Sequence, residues 1–412
     1  MRKEQVPWNI VIMLCATATA SYICRVNIST AAPLLMKEFH LSQPEMGRIF
    51  SALILGYALF QAPAGALADH WGARRILMIF AWFWVAITIL QIFVNWGPFH
   101  TTTAVALISF MVIRFSLGIA ESPTYPASAH GVSRWIIPQF QGRANGIVIA
   151  SIGIGSALAP IIVSNIMVHS GWRLALIASA LPAFAVAIIW RYVKAPQTIA
   201  NTISDSFGKD ENQNLPGKFK LFNRSYILLT ISYTLQGYVG YIFVTWFYLY
   251  LVQVRHFSLL SGAWMSSMPW ILSIISIPLG GLISDNLSKG KFGKTLGHRI
   301  VPIFGLAMSG ILISIGAHTS SAIMAAISLA FATAFILCVE SPFWTMMLRI
   351  SGSKSGTAGG IMNMGSNIGG FISPALTPII AYYIGWENAL HVAAVLAIIA
   401  ALLWFWIKPV TH

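Results

Sequence analysis

Twelve long apolar runs dominate this 412-residue sequence. An α-helix needs about 20 apolar residues to cross about 30 Å of hydrocarbon, and runs of this length recur along the whole chain. We therefore predict an all-α polytopic membrane protein with twelve transmembrane helices, numbered below as segments 1 to 12. The segments are expected to begin near residues 8, 46, 76, 103, 143, 173, 225, 261, 300, 320, 355 and 387.

The composition excludes a soluble enzyme and a disordered protein. Hydrophobic residues make up 57% of the chain and charged residues only 9%, against about 25% charged in soluble domains. The net charge of +14 raises the alternative of a nucleic-acid-binding protein. The basic residues lie in short loops between apolar runs, however, which is typical of residues that set membrane topology. We therefore expect no nucleic-acid partner.

The distribution of Lys and Arg predicts the orientation in the membrane. If the N-terminus is cytoplasmic, nineteen of the 25 Lys and Arg residues fall on the cytoplasmic side and four on the other side. This asymmetry favours a multi-pass protein of the cytoplasmic (inner) membrane with both termini in the cytoplasm. Arg25 and Arg114 fall inside apolar segments and belong to neither side.

A long polar stretch divides the segments into two groups of six. We predict an N-terminal half at residues 1–194, a cytoplasmic linker at 195–224 and a C-terminal half at 225–412. Four short patterns recur in order at offsets of 214 to 219 residues, which indicates that the halves are repeats. Parallel repeats of this kind place a transport pathway at their interface. The recurring patterns are Gly65–Asp69 with Gly281–Asp285, Glu121–Pro123 with Glu340–Pro342, Ala144–Ile147 with Ala358–Ile361, and Gly171-Trp172 with Gly385-Trp386.

The loop after segment 2 reads GALADHWGARR over residues 65–75. Its carboxylate, Asp69, ends a helix at the cytoplasmic face, where the exposed N–H groups of a neighbouring helix start favour an anion. Arg74 and Arg75 follow, and Asp285 is the second-half equivalent of Asp69. The pattern resembles the signature of the major facilitator superfamily, and implies a gate that these four residues latch in one conformation. The alternative is that these charges only fix topology.

Four ionisable residues fall at membrane depth: Arg25, Arg114, Glu121 and Glu340. A charge at the bilayer centre costs about +2.5 to +3.5 kcal/mol, so these side chains are expected to face the protein interior or an aqueous cavity. Arg114 and Glu121 are seven residues apart on one helix face, about 10 Å along the axis. They are predicted to approach each other directly or through water. A static pair that only holds segment 4 in place is the alternative.

Segment 1 contains Tyr22-Ile-Cys-Arg25-Val-Asn-Ile-Ser29, and segment 4 continues from Arg114 through Glu121 to Pro126. Together these runs resemble the anion:cation symporter family of the major facilitator superfamily, which includes sugar-acid and sialin-like organic anion transporters. The resemblance implies that Arg25 binds the substrate carboxylate and that Glu121, with Arg114, carries the coupled proton. It also implies a set of cavity residues that contact the substrate: Tyr22, Tyr57, Tyr233, Gln236, Ser341, Trp344, Asn363 and Asn367.

The residues narrow the substrate class without naming the substrate. Segments 1 and 7 together offer only one arginine, Arg25, which favours a carboxylate with one negative charge over a phosphate ester. The family often has Asp at the position of Cys24, so one candidate proton site is missing, and Glu340 stays open as a second one. We expect a proton-coupled carrier. The alternatives are an organic anion exchanger, an efflux carrier and a substrate sensor with a transporter fold.

Other chemistries leave no pattern in the sequence. There is no Walker A motif, and the ten histidines are scattered without metal-ligand spacing. We therefore expect no enzymatic activity, no cofactor and no metal. The expected partners are a small organic anion, protons and the lipid bilayer, and the protein is expected to act as a monomer.

Overall fold

The structure, a computed structural model of the chain, describes residues 7–95, 102–193, 223–290, 293–351 and 355–408. Within these ranges it consists of thirteen α-helices and a 3-10 turn, with no strand. The predicted linker 195–224 lies outside the described residues except for its last two positions. The helices are α1 (Trp8–Phe39), α2 (Gln43–Trp71), α3 (Ala73–Leu90), α4 (Thr103–Glu121), α5 (Thr124–Trp135), α6 (Pro138–Tyr192), α7 (Arg224–Thr245), α8 (Phe247–Gln253), α9 (Leu259–Lys289), α10 (Gly293–His318), α11 (Ala322–Cys338), α12 (Glu340–Ser351) and α13 (Ser355–Leu403).

Ten stretches of the described residues are long and apolar enough to cross a membrane. Two of them, of 53 and 47 residues within α6 and α13, would be about 80 and 70 Å long as single helices, more than twice the hydrocarbon thickness. Each is broken once by a glycine with positive φ, Gly171 (78°) and Gly385 (84°), a conformation that glycine adopts without a steric penalty. Each therefore crosses twice, and the described chain crosses the membrane twelve times, which confirms the predicted fold class.

Two other crossings are interrupted at the repeated Glu-Ser-Pro sequence. The crossing Thr103–Trp135 contains the junction between α4 and α5, and the crossing Ala322–Ser351 contains the junction between α11 and α12. Proline lacks the N–H that a continuous helix needs, so a break near Pro123 is expected. The break places Glu121 at the end of α4 and Glu340 at the start of α12, both at the level of the helix interruption.

Within each half, glycines bring neighbouring helices into close contact. α1 packs along α6 and α2 along α4 in the first half, and α7 packs along α13 in the second. A Cβ at Gly118 would lie 2.8 Å from the main-chain nitrogen of Tyr57, and one at Gly369 would lie 2.8 Å from that of Tyr238. Such close approach is typical of small residues between transmembrane helices, where dispersion contacts hold the helices together.

The interface between the halves is formed by α2 against α13 and by α6 against α9. We call the membrane face that carries the first and last described residues, Pro7 and Lys408, the terminal face, and the opposite one the far face. Every even-numbered crossing begins at the far face, and four of these helices begin with a hydroxyl side chain that accepts a hydrogen bond from a main-chain N–H of the first turn. These N-caps stabilise the helix starts that emerge from the apolar layer. They are Ser42, Thr102, Ser258 and Ser321.

Candidate functional site: a polar cavity between the halves

A cavity of about 460 Å³ lies between the two halves, within the range of about 300–1,000 Å³ typical of small-molecule sites. It adjoins a second volume of about 200 Å³ that shares eight of its lining residues, Arg25 and Glu340 among them. The larger cavity receives side chains from α1, α2, α5, α6, α7, α12 and α13. Its lining includes Tyr22, Arg25, Tyr57, Gln61, Tyr125, Ser128, Asn145, Tyr233, Tyr241, Glu340, Trp344, Asn363, Ser366 and Asn367.

The contacts between the halves close the far face. The Ser51 hydroxyl on α2 donates to the main-chain oxygen of Phe371 on α13 at 2.7 Å. Nearer the far face, Gln43 accepts from the Trp386 indole at 3.2 Å and donates to Gln253 at 3.1 Å. At the terminal face, a Cβ at Gly146 or Gly360 would meet no described atom within 4 Å. These contacts hold the halves together at the far face, while the space beside Gly146 and Gly360 at the terminal face is open.

Arg25 is the cation of the cavity. Its side chain is 5% exposed, and its Nε donates to the Glu121 carboxylate at 2.7 Å. The guanidinium carbon lies 4.8 Å from the ring centroid of Tyr22 and 4.5 Å from that of Tyr57, which are cation–π distances. The Arg25 guanidinium therefore lies against two aromatic rings, and some of its N–H donors remain available to a ligand carboxylate.

Glu121 lies behind Arg25 and is fully buried. One carboxyl oxygen accepts from Arg25, and the other has no hydrogen-bond partner among the described residues. A buried carboxylate is costly to hold without a cation, so the ion pair with Arg25 stabilises its charged form. Glu121 is not part of the cavity lining, whereas its partner Arg25 is.

Arg114 does not pair with Glu121. Its guanidinium donates to the main-chain oxygens of Cys24 at 3.2 Å and Arg25 at 2.6 Å, and to the Asn27 side chain at 3.4 Å. The two turns between Arg114 and Glu121 separate them along α4, and α1 fills the space beside Arg114. The structure therefore brings Glu121 to Arg25 instead, and Arg114 holds the α1 backbone that carries Arg25.

The wall of the second half has a carboxyl group of its own. The Tyr233 hydroxyl donates to one oxygen of Glu340, as does the Trp344 indole at 3.1 Å. Gln236 donates to the other oxygen at 3.4 Å. All three partners are neutral donors, and no described Lys, Arg or His forms an ion pair with Glu340 within 4.0 Å. Four predicted residues are thereby brought together in the wall of the second half.

An amide cluster links the halves beside these two walls. Gln61 accepts from Asn363 at 2.9 Å and from Asn367 at 3.5 Å, and it donates to the Tyr57 hydroxyl at 3.2 Å. Asn363 and Asn367 are predicted substrate contacts, and both line the cavity. Gln61 was not predicted, although it lies one helical turn after Tyr57.

Ser341 lies outside the cavity lining. A Cβ at Gly281 would come within 2.6 Å of the Ser341 hydroxyl oxygen, so this side chain faces α9. Two tyrosines that the sequence did not single out line the cavity instead, Tyr125 and Tyr241. Tyr125 lies four residues after Glu121, at the start of α5, and its hydroxyl has no hydrogen-bond partner among the described residues.

The predicted gate residues lie at the terminal face and contact their own half. Asp69 is 75% exposed and bonds the His130 ring at 2.9 Å. Arg74 donates to the main-chain oxygens of Trp190 at 3.1 Å and Arg191 at 2.7 Å, at the end of α6, where exposed carbonyls attract cations. Arg75 lines the same surface pocket as Asp69. Asp285 is exposed, and its main-chain oxygen accepts from Ser288.

The chain matches known proteins over almost its whole length. A probable sulfoacetate transporter of Cupriavidus necator is 28% identical, with 88% of this chain and 85% of the relative covered. A hexuronate transporter of Bacillus subtilis is 26% identical, with 97% and 94% covered.

Solved structures match the fold. A bacterial homologue of the human lysosomal transporter Spinster, in an inward-facing and unoccupied conformation, superposes with a TM-score of 0.79 at 17% identity, covering 98% of this chain and 97% of that chain. A D-xylose–proton symporter superposes with a TM-score of 0.77 at 14% identity, covering 98% of both chains. The family model of the Major Facilitator Superfamily matches residues 14–374 and 289–412. The chain therefore belongs to the Major Facilitator Superfamily.

Proposed function

We propose that this protein carries an organic anion, a carboxylate such as a sugar acid, across the cytoplasmic membrane together with protons. The cavity supports this proposal because it offers one arginine to a carboxylate, and amides and hydroxyls to the rest of a hydroxylated ligand. The name of one relative supports the same substrate class, since the Bacillus subtilis protein is described as a hexuronate transporter.

The observation that carries the proposal is the 2.7 Å ion pair between Arg25 and Glu121. A substrate carboxylate and the Glu121 carboxylate compete for one guanidinium, because two carboxylates against one buried cation leave an uncompensated charge in a low-dielectric site. Protonation of Glu121 removes its charge and frees the fork of Arg25. Substrate and proton therefore bind together, which is the requirement for symport.

The same pair explains how the empty carrier returns. Without substrate, a deprotonated Glu121 neutralises Arg25. With substrate, the bound carboxylate neutralises Arg25 and the proton neutralises Glu121. The Arg25 site has no net charge in either state, so neither conformational change leaves an uncompensated charge at that site.

Alternating access would exchange the contacts that now close the far face for contacts at the terminal face. In that second state Asp69 would reach the start of α13 and Asp285 the start of α6, with Arg74 and Arg75 beside them. The distribution of Lys and Arg favours a cytoplasmic terminal face. The carrier is proposed to act as a monomer, because each chain contains both walls of the cavity.

Purified protein in liposomes tests this function with radiolabelled D-glucuronate as the probe. Wild-type protein should concentrate D-glucuronate when the opposite side is more acidic. Glu121→Gln should lose this accumulation because glutamine cannot bind and release a proton, while exchange with unlabelled D-glucuronate on both sides should survive. Glu387→Gln is the matched control, since it removes an exposed carboxylate outside the cavity.

The outcomes separate the alternatives. If Glu121→Gln still concentrates D-glucuronate against its gradient, the proton site lies elsewhere. If the wild type only exchanges the acid and never accumulates it, the protein is an exchanger rather than a symporter. Binding without exchange or accumulation would indicate a sensor.

A further inference from the structure

We infer that Glu340 is a charge filter that limits the substrate to hydroxylated acids with a single negative charge, and that it rejects diacids and sulfo-carboxylates. This inference rests on the proposed function, because it assumes that the cavity binds an organic acid at Arg25. It goes further by assigning a specificity-determining role to one side chain and by choosing between two classes of organic acid.

The charge balance of the cavity is the first step. Among the described residues that line the two adjoining volumes, Arg25 and Glu340 are the only Asp, Glu, Lys, Arg or His side chains. Arg25 belongs to the wall of the first half and Glu340 to the wall of the second. A ligand between them therefore contacts one cation and one acidic side chain. The described lining residues offer no second cation to a second anionic group of the ligand.

The hydrogen bonds of Glu340 are the second step. Tyr233, Gln236 and Trp344 all donate to its carboxyl oxygens, and an indole N–H acts only as a donor. All three groups donate to its oxygens, and hydrogen bonds donated to a carboxylate favour its charged form. These bonds fix its orientation but supply no positive charge. A second carboxylate or a sulfonate placed beside it would meet like charge, which weakens binding.

The remaining lining describes the part of the substrate that Glu340 accepts. Hydroxyl groups can donate to Glu340, and they can also bond the amides of Gln61, Asn145, Asn363 and Asn367. The structure thus fits a polyhydroxylated monocarboxylate with its acid end at Arg25 and a hydroxyl or hemiacetal end at Glu340.

Two six-carbon acids test the filter: D-glucuronate has one carboxylate, and D-glucarate has a second one at the opposite end. We expect full-length wild-type protein in detergent to bind D-glucuronate at least about tenfold more tightly than D-glucarate by calorimetry. Glu340→Gln should reduce this ratio at least about tenfold, mainly by tighter binding of D-glucarate. Glu387→Gln, the matched charge removal at the far face, should keep the wild-type ratio.

A measurement on the unmodified protein covers the case in which Glu340→Gln does not fold. The monoamide of D-glucarate keeps the chain length but loses one charge, so it should bind the wild type at least about tenfold more tightly than D-glucarate itself. Equal binding of D-glucuronate and D-glucarate by the wild type, or an unchanged ratio in Glu340→Gln, would overturn the filter and leave the proposed transport intact. Binding of neither acid would overturn the proposed function and the filter together. Selective binding without proton-driven uptake would overturn only the proton coupling.

Discussion

The Arg25–Glu121 pair gives a prediction that separates stability from ligand binding. Arg25→Ala leaves the Glu121 carboxylate fully buried without its cation, and removal of one partner of a buried pair costs about 3–5 kcal/mol. Glu121→Gln should cost less, about 1.5–3 kcal/mol for a hydrogen bond to a charged group. Arg25 then still contacts the rings of Tyr22 and Tyr57 and still faces the cavity.

The double variant is the decisive one. Arg25→Ala combined with Glu121→Gln leaves no unpaired charge, so it should be more stable than Arg25→Ala alone by about 2 kcal/mol or more, the difference between these two kinds of loss. Ligand binding should not follow stability, because it depends on the presence of Arg25. Glu121→Gln should keep D-glucuronate binding, whereas both variants without Arg25 should lose it. Arg25→Lys should recover stability but little binding, because an ammonium group lacks the planar fork.

Stability would be measured by unfolding in mixed micelles with a rising SDS fraction, followed by tryptophan fluorescence, and binding by calorimetry with D-glucuronate. Strictly additive losses of stability in the double variant would show that Arg25 and Glu121 do not stabilise each other. Wild-type affinity for D-glucuronate in Arg25→Ala would refute the assignment of Arg25 as the carboxylate-binding residue.

Three further predictions follow from other contacts. Arg114→Ala should lower the affinity for D-glucuronate by roughly tenfold in calorimetry without removing the binding arginine, because its three bonds hold the α1 backbone at Arg25; unchanged affinity would show that these bonds are only structural. Gly47→Val should abolish D-glucuronate exchange in liposomes yet keep a folded protein, since a Cβ there would collide with the Pro374 carbonyl and prevent closure of the far face; normal exchange would refute this. Gln61→Leu should weaken D-glucuronate binding by about 1–3 kcal/mol, because it removes a polar group that lines the cavity and accepts from the Asn363 amide, and an unchanged affinity would place the substrate elsewhere.

Most of the fold was predictable because a bilayer permits few solutions. Apolar runs of about 20 residues and the duplicated patterns specify twelve crossings in two halves before any contact is known. The starts were less accurate: α10 begins at Gly293 rather than near residue 300, and α6 begins at Pro138 rather than near 143. Both helices extend past the apolar run into a polar stretch. Hydropathy measures where the hydrocarbon begins, whereas main-chain hydrogen bonds continue the helix beyond it.

Sequence reasoning predicted which residues line the candidate site better than it predicted which of them bond each other. Seven of the nine residues proposed to contact substrate line the larger cavity, and Gln236 lines the adjoining volume. The missed residue Gln61 follows the predicted Tyr57 by four positions on one helix, so helical periodicity could have found it. The partner of Glu121 could not be found this way, because spacing along α4 carries no information on how α1 packs beside it.

The two Glu-Ser-Pro sequences show how a duplicated element acquires two roles. Each sequence interrupts a transmembrane crossing at the same level and places a glutamate beside the cavity. The two halves therefore share the same interruption of the helix backbone. The neighbouring side chains differ: Glu121 meets a guanidinium, while Glu340 meets three neutral donors. A carboxylate against a cation can exchange its partner with a ligand, and this makes it suitable for coupling. A carboxylate held by neutral donors keeps its orientation and its acceptor capacity, and this makes it suitable for selection. The repeat therefore predicts where each glutamate lies, and only the helix packed against it determines the role of that glutamate.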